Sequence, residues 1–277
     1  MDQLSVILQR FSINAEIFFT GNICGIASFN KTPNQGHLHL LRSGELTVID
    51  EQGHAQIVNE PTVMFFPTPH NHRLIGSEEN PPELVCANIV YNENTSNPIA
   101  EALPALLCFK LSDCQKLKQT AQWLFEEAFH QQCGRQPMIN SLTNIFIIHV
   151  LRHVLNNGIM QHGLLAGLAH PQVSKVLLAI HEAPERHWSL EEMAELALMS
   201  RSKFADLFKR TVGQSPGDYV IDWRIVVAKD LLQQDKPVAL VANAVGYENG
   251  SALARVFRKK LGISPKKWLE NLINHSK

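Results

Sequence analysis

Two stretches set 49 positions apart share one pattern: Met199-Ser-Arg-Ser-Lys-Phe-Ala-Asp-Leu-Phe-Lys-Arg210 and Glu248-Asn-Gly-Ser-Ala-Leu-Ala-Arg-Val-Phe-Arg-Lys259. Each stretch runs on to a Gly-x-Ser-Pro ending, Gly213-Gln-Ser-Pro216 in the first copy and Gly262-Ile-Ser-Pro265 in the second. So many matched positions at one offset indicate a duplicated structural unit.

Each copy is predicted to fold as a short helix, a tight turn and a second helix. In the first copy, Ser189 and Glu192 form a capping box that starts a helix over Leu190–Ala197, and Ser200 caps the next helix. In the second helix of each copy the apolar residues recur at the i, i+3, i+4 spacing of a single face. These inward residues are Phe204, Leu207 and Phe208 in copy one and Leu253, Val256 and Phe257 in copy two.

The outward faces of these second helices are polar or basic. In a helix-turn-helix the second helix reads the major groove of DNA, and two copies with such faces favour this interpretation. The alternative is an all-helical packing module whose charges are only solvated. The predicted DNA-facing residues are Arg201, Ser202, Lys203, Asp206, Lys209, Arg210, Ser251, Arg255, Arg258 and Lys259.

The segment between the copies is predicted to be one helix, Pro216–Gln234. Its 19 residues span about 28 Å at about 1.5 Å per residue. Neighbouring major grooves on one face of DNA lie about 34 Å apart. A rod of this length could hold two reading helices in successive grooves.

Further motifs connect this region to a known family. Trp188-Ser-Leu-Glu-Glu-Met-Ala194, Trp223-Arg224 and Val245-Gly-Tyr247 accompany the repeated stretches. Together they resemble the DNA-binding domain of the AraC/XylS family over about residues 170–272. The resemblance implies a transcription regulator that acts on double-stranded promoter DNA and RNA polymerase. An activator is expected, with a repressor as the alternative that the sequence leaves open. The second copy departs from the family with Leu253 in place of Phe and with Gly250, Ala252 and Ala254, which supply few hydrogen-bonding side chains.

The N-terminal part shows the pattern of a β domain, with short apolar runs separated by turn residues. Strands at this spacing predict a small barrel or jelly roll. The candidate strands are Ile17–Phe19, Gly25–Phe29, His37–Leu41, Leu46–Ile49, Gln56–Val58, Val63–Phe66 and Leu84–Val90.

A second resemblance lies within these strands. Gly36-His-Leu-His39 and the later Pro67-x-Pro-x-x-His72 resemble a cupin barrel, and more narrowly the cupin-type sensor domain of one branch of AraC-like regulators. Pro61 and Pro69 stand where cupins usually have glycine. The resemblance implies a domain that senses a small molecule or an oxidant.

Two helices are predicted next, Cys114–His130 and Pro137–Asn157. The second is apolar around much of its circumference, so either the barrel or a second subunit must cover it. We prefer a homodimer, with packing inside one chain as the rival interpretation. The expected fold class is therefore α+β: a cupin-like barrel at 1–98, a helical linker or dimerisation region at 99–169, and an all-α domain with two helix-turn-helix units at 170–277.

The sequence predicts a cytoplasmic protein whose charge is unevenly distributed along the chain. Residues 1–170 carry 9 Lys and Arg against 14 Asp and Glu, whereas residues 171–277 carry 16 against 12. This asymmetry is typical of a sensor joined to a nucleic-acid reader. Residues 1–11 lack the apolar core of a signal peptide, and the apolar run Met138–Leu155 contains too many polar residues to span a bilayer, so no membrane partner is expected.

Three histidines are candidate effector residues. His37 and His39, two apart on a strand, point to the same face, and a metal-binding cupin would place His72 with them. The fourth ligand is missing, because Glu45 lies too far after His39. We therefore expect no metal or other cofactor, with the imidazoles lining a pocket or lying at the barrel surface.

Cysteines give a second candidate for sensing. Cys24 and Cys86 lie in or beside candidate strands, and strand pairing can bring such positions within the ~4.4–6.8 Å between Cα atoms that a disulfide requires. If they form a redox switch, Cys24→Ser and Cys86→Ser each abolish the oxidant response. The alternative is inert packing, which we expect for Cys108, Cys114 and Cys133 on helices. The odd total of five cysteines argues against a disulfide framework.

Catalytic motifs are not found in the sequence, so an enzyme is not expected. Two alternatives stay open: a metal-dependent cupin enzyme fused to a DNA-binding domain, and a structural module whose helices bind nothing.

Overall fold

The computed structural model describes residues 3–10, 13–91, 97–130, 132–160 and 162–275. Contacts among these residues divide the chain into two compact units. The N-terminal unit consists of residues 13–160, and the C-terminal unit consists of residues 162–275 together with 3–10. The segment 99–169, predicted to be a region of its own, is thus divided between the two units.

Antiparallel strands form two sheets in the described part of the N-terminal unit. The strands are β1 (Ile13–Asn22), β2 (Gly25–Phe29), β3 (Gln35–Ser43), β4 (Leu46–Ile49), β5 (Ala55–Val58), β6 (Thr62–Phe66), β7 (His72–Gly76), β8 (Glu83–Tyr91) and β9 (Leu107–Lys110). One sheet has the order β1-β8-β3-β6-β9 and the other the order β2-β7-β4-β5. This arrangement confirms the predicted cupin-like β domain.

The two sheets enclose one hydrophobic core. Alternate residues of each strand point to the same face of a sheet, and side chains from both sheets meet in a single buried cluster. Its most buried members are Leu41, Leu46, Met64, Leu74, Leu84 and Cys86, each with no exposed surface. In β3, His37 and His39 share this inward face with Leu41, because they stand four and two residues before it, respectively.

The predicted strands agree with the structure in position but not always in length. β2 and β4 have the predicted limits, and β1, β3 and β8 extend beyond theirs. β7 and β9 have no counterpart among the predicted strands. β7 begins directly after the turn-forming residues Pro67–Asn71, and β9 is an edge strand held by β6 alone.

Three helices complete the N-terminal unit: α2 (Pro98–Ala102), α3 (Gln115–Phe129) and α4 (Arg135–Asn156). α4 packs against α3 and β1, and the Asn144 side chain accepts a hydrogen bond from the Ala15 N–H at 3.0 Å. α4 is also long and apolar enough to cross a membrane, because an 18-residue window within it has a mean hydropathy of 1.3. Of the residues in this window, 39% are buried inside the structure. A core helix of a soluble protein has the same properties.

The C-terminal unit is all helical in its described part. In chain order it contains α5 (Leu164–Ala169), α6 (Val173–Glu182), α7 (Leu190–Leu196), α8 (Arg201–Val212), α9 (Pro216–Gln233), α10 (Val238–Ala244), α11 (Gly250–Leu261) and α12 (Pro265–His275). A further helix, α1 (Gln3–Arg10), packs against α6 and buries Leu4 and Ile7. The sequence pattern does not predict α1 or its place in this unit.

Most of the predicted helix ends are present in the described part of the C-terminal unit, but Ser200, at the N-cap position of α8, makes no capping hydrogen bond with its side chain. Ser189 and Glu192 form both halves of the capping box at α7, and the Asn249 side chain accepts from the Ala252 N–H at α11. α8 and α11 both end at a glycine in the left-handed conformation, Gly213 with φ 91° and Gly262 with φ 75°. These matching ends give the two copies the same local geometry.

Candidate functional site

The first helix-turn-helix consists of α7, a turn and α8. Phe204 and Phe208 of α8 are completely buried, which fixes the orientation of the helix about its axis. Leu198 makes the turn with φ 56° and is 83% exposed. The residues predicted to face DNA from α8 are all exposed: Arg201, Ser202, Lys203, Asp206, Lys209 and Arg210.

Ion pairs occupy part of this exposed face. Arg210 Nη2 lies 3.1 Å from Asp206 Oδ2, and Arg201 Nη1 lies 3.9 Å from Glu191 Oε2. Within the described residues, Lys203 and Lys209 form no ion pair. The free positive charge of α8 therefore comes from these two lysines, because Asp206 and Glu191 offset the two arginines.

The second helix-turn-helix consists of α10, a turn at Gly246 and α11. Leu253 and Phe257 are completely buried, so the exchange of Phe for Leu at position 253 keeps the inward anchor. The four residues predicted to contact DNA are exposed: Ser251, Arg255, Arg258 and Lys259. In the part of the chain that the structure describes, the three cations among them form no ion pair.

The two reading helices differ at one equivalent position. Arg255 of α11 stands 49 residues after Asp206 of α8, so an unpaired cation occupies the place of a paired carboxylate. The remaining front half of α11 has the small residues Gly250, Ala252 and Ala254. Arg255 is consequently the one long outward side chain in that half of the described helix.

One helix connects the two helix-turn-helix units. α9 has 18 residues, which corresponds to about 27 Å at about 1.5 Å per residue. It packs against α6, α8, α10 and α12 and buries Tyr219, Trp223 and Ala228. Asp222 of α9 also forms an ion pair with Lys260 of α11 at 2.6 Å. Because α9 contacts both copies, it sets the distance between them.

The three predicted histidines meet inside the N-terminal core. His39 Nε2 lies 2.8 Å from His72 Nε2, and the centre of the His37 ring lies 5.2 Å from that of His72. Phe29 and Phe66 stack against the His72 ring at 4.9 Å and 3.8 Å between centroids. All three histidines are buried, so they lie in the interior and not at the barrel surface.

Burial controls the protonation of this cluster. It lowers the pKa of His72 to about 4; the hydrogen bond to the His70 carbonyl partly offsets this shift, and the nearby rings of His37 and His70 lower the pKa further. Burial also holds the pKa of His39 well below its ordinary value, with smaller contributions from His72 and His37, and it lowers the pKa of His37. The imidazoles are therefore neutral at physiological pH, with one proton available for the hydrogen bond between His39 and His72.

The histidine cluster lacks the arrangement of a metal site. Across the described residues, no group of three or more His, Cys, Asp or Glu side chains is placed to hold a metal ion. The Nδ1 atoms of His37 and His39 are buried without a hydrogen-bond partner among those residues. What the geometry does supply is a closed aromatic and imidazole core.

The structure does not bring Cys24 and Cys86 together, which corrects the predicted disulfide switch. Cys24 is exposed between β1 and β2, where the neighbouring Ile23 N–H donates to the Pro82 carbonyl at 3.3 Å. Cys86 lies four residues after Pro82, on β8. At the spacing of a strand these four residues span about 13 Å, which exceeds the reach of a disulfide. Burial also raises the pKa of the Cys86 thiol to about 12, so the reactive thiolate is disfavoured.

The other cysteines are dispersed. Cys108 lies on strand β9 and not on a helix as expected, because Leu107–Lys110 pairs with β6. Cys114 precedes α3, and Cys133 is exposed before α4.

One cleft was not signalled by any sequence pattern. It has a volume of about 420 Å³ and lies between α3, the end of β3 and the segment just before β6. Its lining combines apolar residues such as Leu111 and Phe125 with the charged side chains of Arg42, Lys118, Glu60 and Glu126. These residues are far apart in sequence, so only the folded chain shows that they converge.

Comparison with known families covers both units. Residues 2–156 match a family model described as Cupin, and residues 193–271 match a model described as Helix-turn-helix domain. An uncharacterised HTH-type transcriptional regulator of Haemophilus influenzae is 27% identical over 297 residues, covering 98% of this chain and 98% of that protein.

Two further relatives match over shorter lengths. A putative AraC-like transcription regulator of Streptomyces antibioticus is 38% identical over 154 residues, which are 53% of this chain and 50% of that protein. The HTH-type transcriptional regulator AlkR of Acinetobacter baylyi is 26% identical over 246 residues, covering 86% of this chain and 80% of AlkR.

Proposed function

This chain belongs to the AraC family of helix-turn-helix transcriptional regulators with an N-terminal cupin domain, and we propose that it activates transcription by reading promoter DNA with both helix-turn-helix units. The observation that carries this proposal is the pair of reading helices, α8 and α11. They are built alike, anchored by buried Phe208 and Phe257, and joined through one helix. The alternative of a structural module whose helices bind nothing does not explain why both reading helices have an exposed basic face.

We assign different contacts to different residues of α11. Arg255 stands near the start of the helix, where base edges are read, and arginine bound to guanine O6 and N7 is the commonest specific contact. Arg258 and Lys259 lie one turn further on and contact phosphates. Ser251 adds a short hydrogen-bonding group beside Arg255.

In α8 the reading contacts come from Ser202 and Lys203. Asp206 takes part only when its ion pair with Arg210 opens. Arg201 at the helix start, with Lys209 and Arg210 near its end, supplies phosphate contacts. The two half-sites are consequently read by different chemistry, and the operator is asymmetric.

Sensing belongs to the cupin unit. We propose that its effector is a small molecule and not an oxidant acting through a disulfide, because Cys24 and Cys86 are separated. The closed interior around His37, His39 and His72 is one place where such a molecule acts, if the packed rings open to admit it. The cleft beside Arg42 and Lys118 is the other. RNA polymerase is the partner for activation, in the cytoplasm.

A homodimer is the proposed assembly. On the outer side of α3 and α4, Trp123 is 59% exposed, Met138 52% and Ile145 46%. Together with Leu142 they form an apolar face that we call the α3–α4 face. The inner side of α4 packs within its own unit, which leaves its outer side for the proposed contact with a second subunit. A second copy seated on the α3–α4 face would bury these side chains.

Selection of DNA fragments tests the function directly. The full-length protein is mixed with a pool of random duplexes, and bound duplexes are recovered and sequenced over several rounds. We expect enrichment of a motif with two different half-sites about one helical turn, roughly 10 base pairs, apart. Recovery of no motif would contradict the proposal.

The enzyme alternative has its own test. The relatives of this chain are named as transcriptional regulators. A metal-dependent cupin enzyme, in contrast, would carry near-stoichiometric iron, manganese or nickel. Elemental analysis of the purified protein distinguishes the two, since the regulator proposed here requires none.

A further inference from the structure

We infer that Arg224 is a positioning residue that locks the two helix-turn-helix units together and thereby sets the spacing between the two DNA half-sites. This inference rests on the proposed function. Arg224 lies in the middle of α9, the helix that joins the units.

The guanidinium of Arg224 binds carbonyl groups from both units. Its Nε donates to the Pro184 carbonyl at 2.7 Å, and its Nη2 donates to the Arg186 carbonyl at 2.8 Å. Both carbonyls belong to the segment that leads into α7. Its Nη1 donates to the Gly246 carbonyl at 3.3 Å, in the turn between α10 and α11. One side chain thus connects α9, the entry to the first unit and the turn of the second.

The surrounding contacts are close. A Cβ atom at Gly246 would lie 2.4 Å from the Glu185 carbonyl oxygen and 2.8 Å from Arg224 Nη2, so the turn of the second unit touches the entry segment of the first directly. Gly246 also has φ 79°, which favours glycine. The Arg224 guanidinium lies 5.4 Å from the centre of the Tyr247 ring. The guanidinium therefore lies against the Tyr247 ring and the Gly246 turn.

Arginine is the residue suited to this role. Its planar guanidinium presents several donors in a fixed fork, whereas lysine offers one compact charge on a flexible stem. A lysine at 224 keeps the charge and cannot hold three carbonyls from two segments in one geometry. The hydrogen bonds from Arg224 therefore restrain the rotation of one unit relative to the other.

This restraint matters because a change in the spacing between two half-sites on DNA also rotates one half-site relative to the other. One added base pair moves a half-site by about 3.4 Å along the axis and turns it by roughly 35°, since about 10–10.5 base pairs make one turn. A rigid pair of units cannot follow that change, whereas a loosely joined pair can. The preference for one half-site spacing thus reports on the rigidity of the junction. An ordinary loss of folding stability would not alter this preference.

The experiment uses the full chain and the operator obtained by selection. Affinities are measured for the selected operator, for versions with one base pair added or removed between half-sites, and for a duplex that keeps only one half-site. We expect the wild type to lose at least about tenfold on either altered spacing. Arg224→Lys should lose about threefold or less, with its half-site affinity within about twofold of wild type. Arg186→Ala, which removes a nearby cation but keeps the accepting carbonyl, should behave as wild type.

Each other result overturns a stated part of the account. Equal weakening of Arg224→Lys on all duplexes, including the half-site, would make Arg224 a folding or charge residue and end the inference. Unchanged spacing preference in Arg224→Lys would end it as well. If the wild type prefers no duplex at all, the proposed function fails, and that failure is recognised before any variant is compared.

Discussion

Substitution of His72 should make the stability of the N-terminal unit depend less on pH, because it removes the imidazole that binds a proton on unfolding. Burial lowers the pKa of His72 from 6.5 to about 4, so the unfolded chain binds a proton between these values that the folded chain does not. Stability is therefore full above pH 6.5 and declines as the pH falls toward 4. For His72 alone the loss between pH 7.5 and 5 is about 2 kcal/mol, since one pKa unit corresponds to about 1.36 kcal/mol.

Neighbouring titratable groups determine the direction of the pH effect on stability and the pH range over which it is measured. His39 and His37 shift in the same direction as His72, so the wild type should lose more than His72 alone accounts for. The measurement stops at pH 5 because carboxylates such as Glu192, whose pKa is lowered to about 2, begin to destabilise the other unit below that value. Within the window the histidines dominate.

Urea unfolding followed by circular dichroism at several pH values provides the assay. The transition that moves in Leu74→Ala, a completely buried core position, identifies the N-terminal unit. We expect His72→Gln to lower stability at pH 7.5 and to reduce the loss between pH 7.5 and 5 by about 2 kcal/mol. His187→Gln, at an exposed position in the other unit, is the control. An equal pH slope in wild type and His72→Gln, or a wild type that gains stability toward pH 5, would refute the reasoning.

Three further outcomes follow from the structure. Ile145→Asp on the α3–α4 face should convert a micromolar dimer to a monomer in light scattering after gel filtration, whereas Ile57→Asp, at an exposed position on β5, should not. A wild-type monomer would exclude the assembly. Treatment with a thiol oxidant should give no peptide that links Cys24 to Cys86, and finding that peptide by mass spectrometry would contradict the strand register. A fragment beginning at residue 170 should unfold at least about 2 kcal/mol more easily than one beginning at 162, because it lacks the buried Leu164, Leu165 and Leu168 of α5; equal denaturation midpoints would show that α5 contributes nothing.

The C-terminal unit could be predicted closely from the sequence because its signals are local. Capping residues such as Ser189 and Asn249 and the stop at Gly213 act within a few positions of themselves. The internal repeat then supplies the second copy from the first. The exposed face of each reading helix follows from the same spacing that buries Phe208 and Phe257.

Other features depend on contacts between distant segments, which spacing does not encode. α1 is a short helix, and only its packing on α6, more than 160 residues later, gives Ile7 a buried environment. β9 is defined by its pairing with β6. The separation of Cys24 from Cys86 is a matter of register between β1 and β8, which the candidate strands left open. Arg224 was visible as part of a motif, but its three carbonyl partners come from segments 38 to 40 residues before and 22 residues after it.

The affinity of the protein for its selected operator and for a scrambled duplex, measured at several salt concentrations, tests most directly whether α11 reads DNA as proposed. Arg255→Ala should reduce the difference between the two duplexes by roughly 1–3 kcal/mol at one base pair. Lys259→Ala should weaken both duplexes alike and lower the salt slope by about one. If Arg255→Ala weakens both duplexes equally while Lys259→Ala narrows the difference between them, the assignment of reading and phosphate contacts on α11 is wrong.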